Sequence, residues 1–264
     1  MERRQFLAAS LASSALALTS DAAAQVPTEQ GREFYQLRRY HLKRGEELTL
    51  TENYFSEALI PAATRMGLGP IGAFSLTFGP RIPTYYVLIP GRPLATLVDM
   101  DLRLRQDEEF LKAAAPFWNA TDANPPYQRV EVSLMAAFED WPRLTPPAAT
   151  ATKSKRIFQL RTYESPSDGE HVTKLAMFRA GEYEIFRTFG FHPVFFGDML
   201  IGPRMPQMTY MLSFTDMNEL VTKWNAFMNS EAWKKLSTGK RFGFDNIVEN
   251  ITNLVLEPLD CSQI

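Results

Sequence analysis

Two strand-like segments carry the side chains best suited to chemistry: Gln36, Arg38 and Tyr40 in one, and Gln159, Arg161 and Tyr163 in the other. Alternation along a strand puts each trio on one face. The planar fork of a guanidinium matches a carboxylate or a phosphate, and a buried arginine is tolerated only when paired. Each trio therefore reads either as part of a pocket for a small anionic or aromatic ligand or as half of an internal ion pair, with Glu47 or Glu170 as candidate acids. The opposite faces, Tyr35 with Leu37 and Phe158 with Leu160, are more apolar. They are expected to meet helices, which leaves the Gln-Arg-Tyr faces for an interior between two sheets.

Arg81 and Arg204 sit in two copies of a Gly-Pro-Arg-x-Pro turn. Turns at the rim of a scaffold are where ligands are often met, and a solvated arginine capping carbonyls is the plainer reading. The histidines are His41, His171 and His192, none at the helical spacing of a metal site. His192, in "FGFHPVFFGDM", reads as a core residue or as an axial haem ligand. There is no G-x-S-x-G elbow and no P-loop, so neither a serine nucleophile nor a nucleotide cofactor is expected.

The elements that must position these residues come in two copies. Gly79 and Gly202, which open the two turns, lie 123 residues apart (202 − 79), and Gln36-Leu37-Arg38, Tyr40, Phe55, Gly67, Pro70 and Glu108 all find an identical residue at that offset. Agreement at one offset across most of a hundred residues marks a tandem duplication. Near the end the alignment slips, and a one-residue indel, placing Thr252, Leu254 and Leu256 beside Val130, Val132 and Leu134, is expected before the last strand. Within each copy the apolar period changes from two to about 3.6 and back, in the order βαββαβ. Gly67 and Gly190 fall where the first helices should end, and Pro61 should kink the first of them. The fold class is α+β: two ferredoxin-like units in tandem, packed by their bare sheet faces into a barrel of the dimeric α+β type.

Domain limits follow: 33–144 and 156–264, joined by the Pro- and Ala-rich linker 145–155. Residues 1–24 resemble a bacterial twin-arginine signal, with Arg3, Arg4, Phe6 and Leu7 before an apolar run and Ala22-Ala23-Ala24 at its end. Cleavage after Ala24 and a periplasmic or otherwise extracytoplasmic location are expected, with no membrane anchor afterwards. The 264 residues carry a net charge of −2 and no block of like charge, which argues against a nucleic-acid partner. A small-molecule ligand is the expected partner, with room for a homo-oligomer.

The openings "YQLRRYHLKRGEE" and "FQLRTYESPSDGEH", with the later "DEEFLKA" and "SEAWKKL", resemble the NIPSNAP family. The resemblance covers both copies and implies the ferredoxin-like α+β barrel fold. The first copy departs from it in having Phe110 where the second keeps Trp233. The resemblance brings no catalytic motif to carry over. Beside a binding protein it therefore leaves open an enzyme, as a cofactor-free oxygenase or isomerase or a haem protein, and a scaffold with a filled barrel.

Overall fold

The computed structural model describes residues 31–264 of the chain, and the twin-arginine segment lies outside them. Each half begins with a strand, β1 (Phe34–His41) and β5 (Ile157–Glu164). A helix follows that is interrupted by a wide π turn: α1 (Glu46–Asn53), the turn Tyr54–Leu59 and α2 (Ile60–Arg65) in one half. The other half has α5 (Asp168–Met177), the turn Phe178–Glu182 and α6 (Tyr183–Thr188). Pro61 stands early in α2, yet the second half makes the same interruption without a proline. The kink thus belongs to the unit rather than to Pro61 alone. Both helices stop at a glycine in the left-handed region, Gly67 with φ 77° and Gly190 with φ 66°.

Hairpins follow, β2 (Gly72–Phe78) with β3 (Thr84–Gly91) and β6 (His192–Ile201) with β7 (Gln207–Phe214). Gly67, Gly69 and Gly72 match the spacing of a dinucleotide-binding turn. They join a helix to a strand, the reverse of the order such a turn requires. After the hairpins come α3 (Leu94–Leu104) and α4 (Glu108–Trp118) in the first half, α7 (Met217–Asn229) and α8 (Glu231–Ser237) in the second. The last strands are β4 (Arg129–Ala137) and β8 (Asn250–Pro258), the latter preceded by a helical turn, α9 (Phe244–Ile247).

All pairings are antiparallel, and the strands close into one barrel in the order β1-β3-β2-β8-β5-β7-β6-β4. Each half contributes four consecutive strands, and the β2–β8 and β4–β6 ladders weld the halves together. Closure removes every edge that two open four-stranded sheets would expose. Residues 31–264 form a single compact unit.

The register corrects the expected one-residue indel. Arg38 stands opposite Val132 and Arg161 opposite Asn253, so the last strands correspond at an offset of 121 (253 − 132), two residues short of 123. A slip of one would have turned every side chain of β8 to the wrong face, whereas a slip of two preserves the alternation.

The barrel interior is packed with Tyr35, Phe74, Leu88, Met135, Phe158, Phe195, Met211 and Leu256, and Ile264 at the end of the chain is buried among them. Helices cover the outside, over two further apolar layers, one for each half. Among the described residues no helix is long and apolar enough to cross a membrane, and no group of three or more His, Cys, Asp or Glu is placed to hold a metal ion.

Candidate functional site

The Gln-Arg-Tyr faces point away from the barrel interior, toward the helices, contrary to the expectation from their polarity. Tyr35 and Leu37, Phe158 and Leu160 take the interior instead. The reason lies in closure. A barrel's inside is shut off on all sides and suits apolar side chains, whereas a long arginine on the helix side reaches polar groups at the margin of the covering layer.

In the first half Gln36 is tied to α3 by its Nε2, which donates to the Leu97 carbonyl at 3.1 Å. Arg38, 5% exposed, donates from Nε to Gln36 Oε1 at 2.6 Å and from Nη2 to Asp101 Oδ1 at 2.8 Å. Its acid is therefore Asp101 on α3, not Glu47, whose carboxylate accepts from the Lys43 backbone N–H. Burial by itself would lower the Arg38 pKa, but the Asp101 carboxylate, by its charge and its hydrogen bond, holds it above its ordinary value. Burial raises the Tyr40 hydroxyl, so that phenol stays protonated.

Beside Arg38 and Tyr40 lies a cavity of about 440 Å³ between the sheet and the helices, walled by Val130 and Val132 of β4, Arg105 just past the end of α3, Tyr54, Phe117, Trp118 and Tyr127. That volume falls within the range usual for small-ligand sites, roughly 300–1,000 Å³. Tyr54 and Phe117 stack at 3.9 Å between centroids with 7° between their planes. Tyr127 meets Tyr40 edge-on at 6.0 Å. Two arginines against one aspartate leave the cavity electropositive.

The second half has the same trio in a different setting. Arg161 donates to the Tyr163 hydroxyl at 3.0 Å, which in turn pairs with Tyr210 at 2.8 Å. The guanidinium carbon lies 4.2 Å from the ring centroid of Trp224, whose Nε1 donates to Gln159 Oε1 at 2.6 Å. Trp224 is the counterpart of Asp101 at the offset of 123. Glu170 is not the partner of Arg161, which no carboxylate among the described residues binds directly. Phe244 of α9 stands edge-on to Tyr163 at 5.8 Å. Next to this cluster a fully buried lysine, Lys174, pairs with Glu182.

The remaining sequence candidates lie apart from Arg38. Arg81 is exposed in its hairpin and bonds to Gln128, and Arg204 bonds to Glu164 Oε1 at 2.9 Å. His192 is exposed at the start of β6, neither a core residue nor the floor of a deep pocket. It borders a groove of only about 150 Å³ with Pro147, Arg156 and Glu219, a setting that does not fit a haem. The sequence reading missed Asp101, Arg105, Tyr54, Phe117, Trp118 and Tyr127. Nothing in the repeat marked Asp101, since at the offset of 123 every position from 99 to 107 differs from its counterpart. It also missed the pair His171 and Asp198, 2.8 Å apart and present only in the second half.

No curated protein matches the chain. Among solved structures, a "putative monooxygenase" from Lactobacillus acidophilus is 7% identical, with 86% of this chain and 94% of that one aligned and a TM-score of 0.55. Another of that name, from Fusobacterium nucleatum, is 8% identical over 88% and 94%, with a TM-score of 0.54. These likenesses show the fold. A NIPSNAP-like domain protein from Burkholderia xenovorans is 15% identical over 40% of this chain and 86% of its own, with a TM-score of 0.36. The NIPSNAP family profile matches residues 158–263, so the second half of the chain carries a NIPSNAP domain match.

Proposed function

We propose that the chain is an exported tandem NIPSNAP protein that binds a small anionic or aromatic ligand, and that the binding site is the helix-side cavity of the first half. The observation that carries this reading is the cavity of about 440 Å³ that Arg38 and Arg105 line together with five aromatic side chains. Arg38 and Tyr40 are the sequence candidates that remain in the site. Arg161 and Tyr163 belong to the equivalent place in the second half, where Trp224 lies against the guanidinium, while Arg81, Arg204 and His192 lie elsewhere. The first half, beyond the profile match, is read as a diverged NIPSNAP unit because it shares with the second, at the offset of 123, Gln36-Leu37-Arg38, Tyr40, Gly67, Pro70 and the Gly-Pro-Arg-x-Pro turn. Native mass spectrometry of the purified protein should show a bound mass lost on replacing Arg105 with Glu. Retention of that mass would place the ligand outside this cavity.

Export rests on the Arg3-Arg4 pair ahead of the apolar run. Changing both to Lys should leave folded protein in the cytoplasm, and unchanged export would refute the twin-arginine assignment. The neighbours named as monooxygenases support a second reading, oxygenation of the bound aromatic. Incubating protein and recovered ligand with and without dioxygen tests it, and identical products in both would reject it.

A further inference from the structure

We infer that the first-half site is built for an aromatic carboxylate, and that Asp101 is a placeholder that the ligand's own carboxylate displaces from Arg38. The inference rests on the cavity reading above and narrows it to a chemical class.

The Arg38–Asp101 pair is lopsided. Only 6% of the arginine side chain is exposed, against 54% of the aspartate. The aspartate can swing into water at little cost, as a half-solvated acid. The arginine cannot follow, and its charge requires a replacement acceptor. An occupant that brings an oxygen anion can take over Nη2 without leaving that charge unpaired.

The second half shows what else this guanidinium accepts. At the position of Asp101 it has Trp224, and the Arg161 guanidinium lies against that indole face at 4.2 Å with no carboxylate bound directly to it. Between them the two halves display a carboxylate and an aromatic face as the partners of one repeated arginine. The first half keeps the carboxylate in a releasable form and lines the adjoining space with the stacked Tyr54 and Phe117 and with Trp118 and Tyr127. A ligand carrying ring and carboxylate together supplies both partners. Once Asp101 has turned outward, Arg38 and Arg105 face that single carboxylate. Because Trp224 already covers Arg161, the repeated arginine of the second half does not offer the same site.

The test compares 1-naphthoate with the neutral 1-naphthamide by titration calorimetry, on wild-type protein and on Asp101→Asn. Wild type should bind one 1-naphthoate per chain and 1-naphthamide at least tenfold more weakly. Asp101→Asn should bind 1-naphthoate about tenfold more tightly, because the competing carboxylate is gone, with little change for 1-naphthamide. Weaker naphthoate binding by Asp101→Asn would overturn the placeholder role, and equal binding of both compounds by wild type would overturn the carboxylate class. That second comparison stands even if the variant fails to fold. Binding of 1-naphthamide alone would leave an aromatic site and remove only this inference. Binding of neither compound to either protein would remove the cavity reading along with it.

Discussion

Lys174 Nζ lies 2.5 Å from Glu182 Oε2 in the second half, with 0% of one side chain and 1% of the other exposed. Three rings surround the ammonium, those of Tyr163, Phe178 and Phe244, at 5.0, 4.3 and 5.1 Å. Burial pulls the Lys174 pKa down while Glu182 pulls it back up, and the net result is below its ordinary value. The first half has Thr51 and Leu59 at the corresponding positions and packs without charges. Lys174→Met should therefore cost about 3–5 kcal/mol by stranding Glu182, and adding Glu182→Leu should recover most of the loss. Urea melts of the single and double variants check this. A double variant as unstable as the single would show that the pair is not coupled.

Glu219 closes the start of α7. Its carboxylate accepts from the Thr215 backbone N–H at 2.6 Å, one residue before the N-cap, while the N-cap Asp216 Oδ1 accepts from the Glu219 N–H at 2.9 Å. Burial raises its pKa, but Lys223 at 2.5 Å and the two Thr215 donors outweigh that and hold it at about 2. Because the folded value lies below the ordinary carboxylate value, the stability it contributes is full above about pH 4.5 and is lost as the pH falls toward 2. With 25% of the side chain exposed, solvent screening limits the effect to about 1 kcal/mol. Glu219→Gln should be less stable than wild type by that amount at pH 7 and should converge with it near pH 2. A gap that stays constant across that range would mean that the carboxylate charge contributes nothing.

Replacing the two repeated arginines should give unequal results. Arg38→Met removes charge-assisted bonds to Gln36 and Asp101, a loss of about 2–3 kcal/mol. The loss stays moderate because the half-exposed Asp101 returns to water. Arg161→Met removes a guanidinium whose Nε is buried without a partner, so the relief offsets the lost contacts with Trp224 and the Tyr163 hydroxyl and the net change stays within about 1 kcal/mol. Denaturant melts compare them directly. Equal losses would mean that Trp224 stabilises Arg161 as strongly as Asp101 stabilises Arg38.

Neither half should persist as a folded monomer. Residues 31–144 alone would bare β2 and β4 as edges, along with Tyr35, Phe74, Leu88 and Met135 from the barrel interior. Unpaired edges and a broad apolar face favour association. Light scattering after size-exclusion chromatography should show dimers or aggregates for this half and for 156–264. A monodisperse, cooperatively melting monomer would show that barrel closure is not needed for folding.

The amino-acid sequence by itself determined whatever depends on neighbours along the chain. The offset of 123 exposed the duplication, alternation grouped Gln36 with Arg38 and Tyr40, and Gly67 and Gly190 marked helix ends because only glycine takes positive φ there at no cost. Alternation says which residues share a face; it does not say which face is inside. Both faces of β1 are largely buried, one in the barrel and one beneath the helices, so polarity misled and closure decided. The two-residue slip between β4 and β8 was legible only from the ladders, because an apolar pattern tolerates several alignments and a register tolerates one. The cavity was decided by tertiary structure as well. Asp101 and Tyr127 lie 63 and 89 residues beyond Arg38, and they meet it because β1 sits between β3 and β4, beneath α3 and the loop that enters β4. Separations of that size carry no periodic signal, since periodicity records a single element's own faces while a pocket is made where several elements converge.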